Sequence, residues 1–246
     1  MNTPCQAIKG YVKIAMTLGV LGMTLSSVAV AKKNSNENIC ADFTILQSTP
    51  PNYALCAGAT SFIFDKITYA KCIILSGESI SETLAYPDPS TNTNPPVGDI
   101  TTVNQEGINN GSFIVSTYSP PGTAVALYDC NAPQGNTSGS YAQCDGGICF
   151  TNTTGTDFPG LGTIDANENE IVCSCPIATT SEPYQVFGPS DCPKKASEYD
   201  KICGVGITST YNGYTIYIGA PTGVPAQLSV CLTGSNPLKT CKRPVK

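Results

Sequence analysis

An all-β, disulfide-rich fold, mainly antiparallel and sandwich- or barrel-like, with one short helix near residues 193–203, is what this sequence predicts. Three observations predict it. Twelve of the 13 cysteines lie beyond a segment with the features of a secretion signal. Such a count in an exported chain reads as a disulfide framework. Short β-branched and aromatic runs alternate with Gly, Pro, Asn and Asp turns, the pattern of short strands. Only one stretch, just before Gly204, is free of helix breakers and flanked by a start signal.

The N-terminal segment carries Lys9 and Lys13, an apolar run from Ile14 to about Leu25, and then Ala29-Val30-Ala31 before Lys32. Charged, apolar and small-residue regions in that order predict a signal peptide over 1–31. The apolar run is short for a membrane span, and no second one approaches the required length, about 20 residues. The mature part, 32–246, is then expected to be a single disulfide-stapled β-rich domain with no membrane span, secreted to an extracellular or periplasmic compartment. Residues 86–99, rich in Pro, Asn, Ser and Thr, predict a loop that cannot sustain a helix or a central strand. Cys40, Cys56 and Cys72 precede that loop and nine cysteines follow it. An odd count on each side forces at least one bridge across it if all twelve pair.

Candidate strands, in order, are Phe43–Gln47, Ser61–Phe64, Cys72–Leu75, Ser112–Tyr118, Ala124–Tyr128, Ile148–Thr151, Glu170–Cys175, Tyr184–Phe187 and Leu228–Leu232. The clearest hairpin signal is Asn212-Gly213, which predicts a two-residue turn joining Ile207–Tyr211 to Tyr214–Ile218. Helix signals gather at Ser190 or Asp191 as cap and Pro193 in the first turn, with Lys194 to Ile202 unbroken.

The disulfide cysteines are Cys40, Cys56, Cys72, Cys130, Cys144, Cys149, Cys173, Cys175, Cys192, Cys203, Cys231 and Cys241. Cys173 and Cys175 project to one face of an extended strand and should reach two different partners. Short loops favour Cys144–Cys149, Cys192–Cys203, Cys231–Cys241 and Cys40–Cys56, leaving Cys72 and Cys130 for Cys173 and Cys175. Neither a paired C-x-x-C zinc knuckle nor a thioredoxin-like C-x-x-C is present, so the cysteines are not read as metal or redox centres.

The chain contains no histidine, which removes Ser-His-Asp, Cys-His and His-zinc machinery. Thirteen basic residues against 18 acidic ones, with Arg243 the only arginine, disfavour nucleic acid as a partner. A carboxylate pair or a Ser-Lys dyad survives as a catalytic option, and Asp145, Asp157, Asp165, Glu168 and Glu170 are the densest acidic region. Their setting among Gly, Asn and Pro reads first as turn chemistry. Residues 165–170 begin like an EF-hand loop, but Glu170 and Pro176 stand where Gly and Glu are needed. No catalytic residue, cofactor or metal is assigned. Asn110, Asn136 and Asn152 head glycosylation acceptor patterns and read as surface turns. Tyr211, Tyr214 and Tyr217 form a candidate binding surface, since tyrosine buries ring area while keeping its hydroxyl hydrated. Gly219–Pro225 follows as a rigid loop.

These readings favour an interaction module for a protein or glycan surface. A structural subunit of a cell-surface assembly, adhesin- or appendage-like, is the first alternative. A carboxylate-dependent hydrolase is the second.

Overall fold

Pairing begins with a hairpin whose turn, Asp65-Lys66, places two non-glycine residues at positive φ (48° and 67°), the backbone of a type I′ turn. It joins β2 (Tyr53–Phe64) to β3 (Ile67–Leu75) in this computed structural model. The structure describes residues 39–41, 43–46, 53–82, 86–87, 97–98, 113–131 and 138–245, all within one compact unit, Asn38–Lys246. The signal-peptide reading of 1–31 lies outside the described residues, as do Asn110 and Asn136.

Around that hairpin runs a mostly antiparallel sheet. β3 pairs with the long β13 (Glu170–Thr180), which pairs on its other side with β10 (Ile148–Phe150), and β10 with β7 (Phe113–Val115). The sheet curls until its ends meet, because Ala54 on β2 bridges Ser116 just beyond β7, and the Thr117 amide donates to the Ala54 carbonyl at 3.0 Å. The result is barrel-like. A bulge between Leu55 and Thr60, with Gly58 at φ +83°, sets five residue steps on β2 against two on β3. That odd excess flips the side-chain alternation, so Ala54 and Cys56 point inward before the bulge and Ser61 and Ile63 after it.

Along β13 the inward residues are Ile171, Cys173 and Cys175, and their β3 partners are Cys72, Ala70 and Thr68. Three disulfides fill this interior: Cys56–Cys72, Cys144–Cys175 and Cys149–Cys173, all six cysteines being at most 2 % exposed. Cys149 and Cys173 are direct cross-strand partners with Cα atoms 3.8 Å apart. The opposite face of the sheet is covered too. Phe62, Tyr69 and Val172 pack there against Phe158, Leu161 and Ile164 of the excursion between β10 and β13. That excursion contains a 3-10 turn, Thr151–Thr153, in which Asn152 is exposed, and the short pair β11 (Asp157–Phe158) and β12 (Gly162–Thr163).

Thr68 Oγ1 lies in the barrel with no hydrogen-bond partner, the one such buried side-chain atom among the described residues. An unmatched buried hydroxyl carries its desolvation cost undiminished. Thr68→Val is therefore expected to raise stability by about 1 kcal/mol, read as a higher urea midpoint; a lower midpoint would show that the hydroxyl is bonded.

Beyond Pro176, β13 pairs instead with β9 (Gly139–Ala142). A second sheet runs β15 (Gly219–Pro221), β14 (Tyr184–Pro189), β8 (Val125–Cys130) and β16 (Lys239–Cys241), with only β16 parallel to its neighbour. β1 (Phe43–Leu46) pairs with β4 (Ser79–Glu82), and Ile80 on β4 exchanges two 2.8 Å backbone hydrogen bonds with Tyr118. Within the Pro-rich stretch, β5 (Tyr86–Pro87) and β6 (Val97–Gly98) pair only with each other.

The expected helix is present as α1 (Ala196–Ile202), but it starts later than its signals suggest: Lys195 is the N-cap, without a side-chain capping bond, and Ser190, Asp191 and Pro193 all precede it. Its buried Tyr199 donates to the Asp129 and Cys241 carbonyls at 2.8 and 2.9 Å, pinning the helix to the second sheet. Tyr128 packs on Tyr199, and Tyr141 stacks on Tyr184, with ring centroids 5.3 Å apart in each pair. Burial raises the pKa of Tyr128, Tyr184, Tyr199 and Tyr217 above 10, and pushes Tyr118 up to about 12. Raised folded-state values mean that this contribution is intact below pH 10, where unfolded tyrosines are still neutral, and is lost as pH climbs through the folded values. The expected outcome is stability independent of these tyrosines up to about pH 10, then cooperative loss toward pH 12 with tyrosinate absorbance appearing in step. Tyrosinate absorbance rising well ahead of unfolding would contradict it.

Four readings of the sequence are corrected. Leu228–Leu232 is not a strand but part of α2 (Val224–Thr233). Pro225 in its first turn and Gly234 at φ +80° beyond its end are start and stop signals that outweigh the apolar run. Second, Gly219–Pro225 is not a loop, since it supplies β15 and the start of α2. Third, Asn212-Gly213 is a turn, but its flanks do not pair with each other. The Gly213 amide donates to the Ile63 carbonyl, Thr215 bridges Phe62, and Ile218 bridges Ala142. Ile216 and Ile218 are buried, so the segment after the turn takes core-facing partners in place of a local strand. Fourth, the local disulfide scheme is replaced throughout. The remaining bridges are Cys40–Cys231, Cys130–Cys203 and Cys192–Cys241. Cys173 and Cys175 do reach different partners, and Cys40–Cys231 crosses the Pro-rich stretch as parity requires.

Candidate functional site

The residues from Gly213 to Tyr217 face α1 and the turn that follows it across an open groove of about 730 Å³. Tyr214, Thr215 and Tyr217 line one wall, and Ser197, Asp200 and Ile207 belong to the other. Two of the three tyrosines singled out in the sequence thus share one concavity. Tyr211 stands beside them, its ring edge-on to that of Tyr214 with centroids 5.1 Å apart.

Each wall is held from below. Asn212 Oδ1 accepts the Asp65 amide at 2.9 Å, and the Ile63 amide donates to the Tyr214 carbonyl at 3.0 Å, so the tip of the β2–β3 hairpin fixes the tyrosine turn. Ser61 Oγ donates to the Ile216 carbonyl. On the other side Cys130–Cys203 fastens the end of α1 to β8, and the Tyr184 hydroxyl donates to the Cys203 carbonyl. Tyr211 and Tyr214 are 42 % and 53 % exposed, while Tyr217 is half-buried against the tyrosine cluster under α1. The groove wall therefore offers one exposed ring and one half-buried ring, both on a backbone held in place.

The acidic side chain in the groove lining, Asp200, is paired. Arg243 donates from Nε and Nη2 to the two Asp200 carboxylate oxygens at 2.7 and 2.8 Å, and this pairing raises the guanidinium pKa further. A planar fork on a carboxylate fixes both side chains. Lys201 adds a cation to the lining.

The acidic residues considered for catalysis take up turn chemistry. Asp165 Oδ1 accepts the Asn167 amide at 2.8 Å, and Glu170 Oε2 accepts the Asp165 amide at 2.8 Å. Glu170 also pairs with Lys71 at 2.9 Å. The Asp165 amide first, and Lys71 second, hold its carboxyl below the usual range. Asp157 and Glu168 are exposed on the same excursion. Asp145 sits apart, in the turn between β9 and β10, where Ser81 Oγ reaches its two oxygens at 2.8 and 2.9 Å. None of the five lines the tyrosine groove. The α1 side of the groove is missed in the sequence, where Ser197 and Asp200 are only members of the unbroken run from Lys194 to Ile202.

No helix among the described residues is long and apolar enough to cross a membrane. Comparison with protein-family models, curated proteins and solved structures finds no match to this chain.

Proposed function

We propose that the chain is a secreted interaction module that binds a protein or glycan surface through the groove between α1 and the Tyr211–Tyr217 segment. The observation that carries this reading is the placement of Tyr214 and Tyr217 on one wall of that groove, both backed by rigid structure. Exposed tyrosines anchored on a fixed backbone lose little conformational freedom on binding, which is why such rings concentrate binding energy. Six disulfides, three inside the barrel and three around it, suit an oxidising extracellular compartment.

An assembly subunit built by strand addition fits less well. The outer strands of the second sheet, β15 and β16, have three residues each, and the ends of the barrel-like sheet meet each other. Short or closed edges are poor templates for an added strand. The hydrolase alternative would need two carboxylates facing across a cleft, about 5–9.5 Å apart.

The test presents the mature protein to immobilised oligosaccharides and to secreted and cell-surface proteins, beside Tyr214→Ala. A captured partner should bind the variant at least about tenfold more weakly, with the melting temperature unchanged because the ring is exposed. Equal binding of wild type and variant to every captured partner would overturn the assignment of the groove.

A further inference from the structure

Three of the six disulfides converge on a single sulfur. The Sγ atoms of Cys56, Cys149 and Cys173 lie within 4.8 Å of one another, and so do those of Cys56, Cys144 and Cys175. Cys56 is common to both groups, and it is bonded to Cys72. Two further observations concern the same atom. Ser116 Oγ donates a hydrogen bond to Cys56 Sγ at 3.2 Å. A void of about 40 Å³ is bordered by Cys56, Cys144, Ser116 and Asp145. That is room for water beside the sulfur.

From these we infer that Cys56 is the hub of an internal thiol–disulfide exchange site, able to pass its bond to either neighbouring disulfide. Exchange proceeds by attack of a thiolate on a disulfide sulfur. When Cys56 lacks its Cys72 partner, its thiolate attacks Cys149 or Cys173; a new Cys56–Cys149 or Cys56–Cys173 bond forms, the Cys149–Cys173 bond breaks, and the displaced sulfur leaves as thiolate. The same step on Cys144–Cys175 is equivalent. One thiolate is consumed and one released, so no oxidant or reductant is needed. The donated Ser116 hydrogen bond and the adjacent void favour the charged form of a sulfur that burial would otherwise keep protonated. Such a state arises during oxidative folding, when the last two cysteines are still unpaired, or after attack on Cys72 by a small thiol. The hub lets the barrel interior correct its own pairing without opening.

The test uses Cys72→Ser, which leaves Cys56 as the odd sulfur, and Cys203→Ser as a control, because Cys130 belongs to neither converging group. The free thiol is trapped with N-ethylmaleimide and located by peptide mapping. In Cys72→Ser the label should spread from Cys56 onto Cys144, Cys149, Cys173 or Cys175, with Cys56 bonded to the partner of the labelled residue; in the control it should stay on Cys130. Adding Ser116→Ala should slow the redistribution by about tenfold, the effect of losing one hydrogen bond to a charged group. Label confined to Cys56 with Cys144–Cys175 and Cys149–Cys173 intact would overturn the inference, as would equal spreading in the control. Should Cys72→Ser fail to fold, limiting dithiothreitol on the wild-type protein gives the same reading. Labelled Cys72 together with Cys56 bonded to another cluster member supports the hub, and labels found only in native pairs refute it.

Discussion

Replacing Cys149 and Cys173 together by alanine is expected to lower the unfolding free energy by about 4–5 kcal/mol, measured by urea denaturation under non-reducing conditions. Two effects add. Opening a loop with a sequence separation of 24 returns conformational entropy to the unfolded chain, worth about 3 kcal/mol. Both sulfurs are also completely buried between paired strands, so their removal leaves an empty space at the centre of the barrel, costing about 1–2 kcal/mol more. The second effect separates this account from one in which the bridge only tethers the chain. Cys149→Val with Cys173→Ala refills part of the space without restoring the link, and should recover about 1 kcal/mol. No recovery would mean that the sulfurs are not acting as core.

The second large effect is expected at Gly204, immediately after α1. Its φ of +60° is disfavoured for any residue with a Cβ, and a Cβ there would press into the Ser140 carbonyl oxygen, a backbone atom of β9 that cannot move aside. The Ser140 amide donates to the Gly204 carbonyl at 3.2 Å, so displacement also breaks the contact holding the end of α1 against β9. Gly204→Ala should cost about 3–4 kcal/mol, and should weaken binding in the groove, one wall of which continues from this turn. Gly206 provides the comparison. Its φ is +74°, but a Cβ there meets nothing within 4 Å, so Gly206→Ala should cost only about 1 kcal/mol. Equal losses at the two positions, by thermal or urea unfolding, would contradict the steric argument.

The legible parts of the fold were those set by short-range pattern. Tyr184–Phe187 and Ala124–Tyr128 were recognisable as strands from their β-branched and aromatic residues, and they lie in β14 and β8. Gly204 marked the end of α1 because terminal preferences are local backbone physics, whereas the start signals at Ser190, Asp191 and Pro193 fall ahead of the helix, which begins at Ala196 after Lys195. The shared face of Cys173 and Cys175 followed from strand alternation alone.

What failed depended on partners distant in sequence. The hairpin expected at Asn212-Gly213 lost to β2 and β9, which offer the 213–218 segment unpaired backbone groups beside a core that takes Ile216 and Ile218. The hairpin that forms uses Asp65-Lys66, where lysine at positive φ gives no sequence signal. Short-loop reasoning paired Cys144 with Cys149, yet register decides the outcome: Cys149 faces Cys173 across β10 and β13. Cys40–Cys231 joins residues 191 positions apart, beyond anything spacing could suggest. Half of the candidate site was visible for a similar reason. The tyrosines stood out as a cluster, whereas Asp200 and Ser197 meet them because Tyr199 and the Cys130–Cys203 bridge hold α1 against the second sheet.

Mapping the disulfides of the oxidised protein, by proteolysis without reduction followed by mass spectrometry, addresses the central claim that sulfur pairs form the interior of the barrel. The account requires Cys56–Cys72, Cys144–Cys175 and Cys149–Cys173 as the core set, with Cys40–Cys231, Cys130–Cys203 and Cys192–Cys241 around it. Recovery of Cys144–Cys149 and Cys192–Cys203 as the dominant links, or of free thiols throughout the core set, would contradict it.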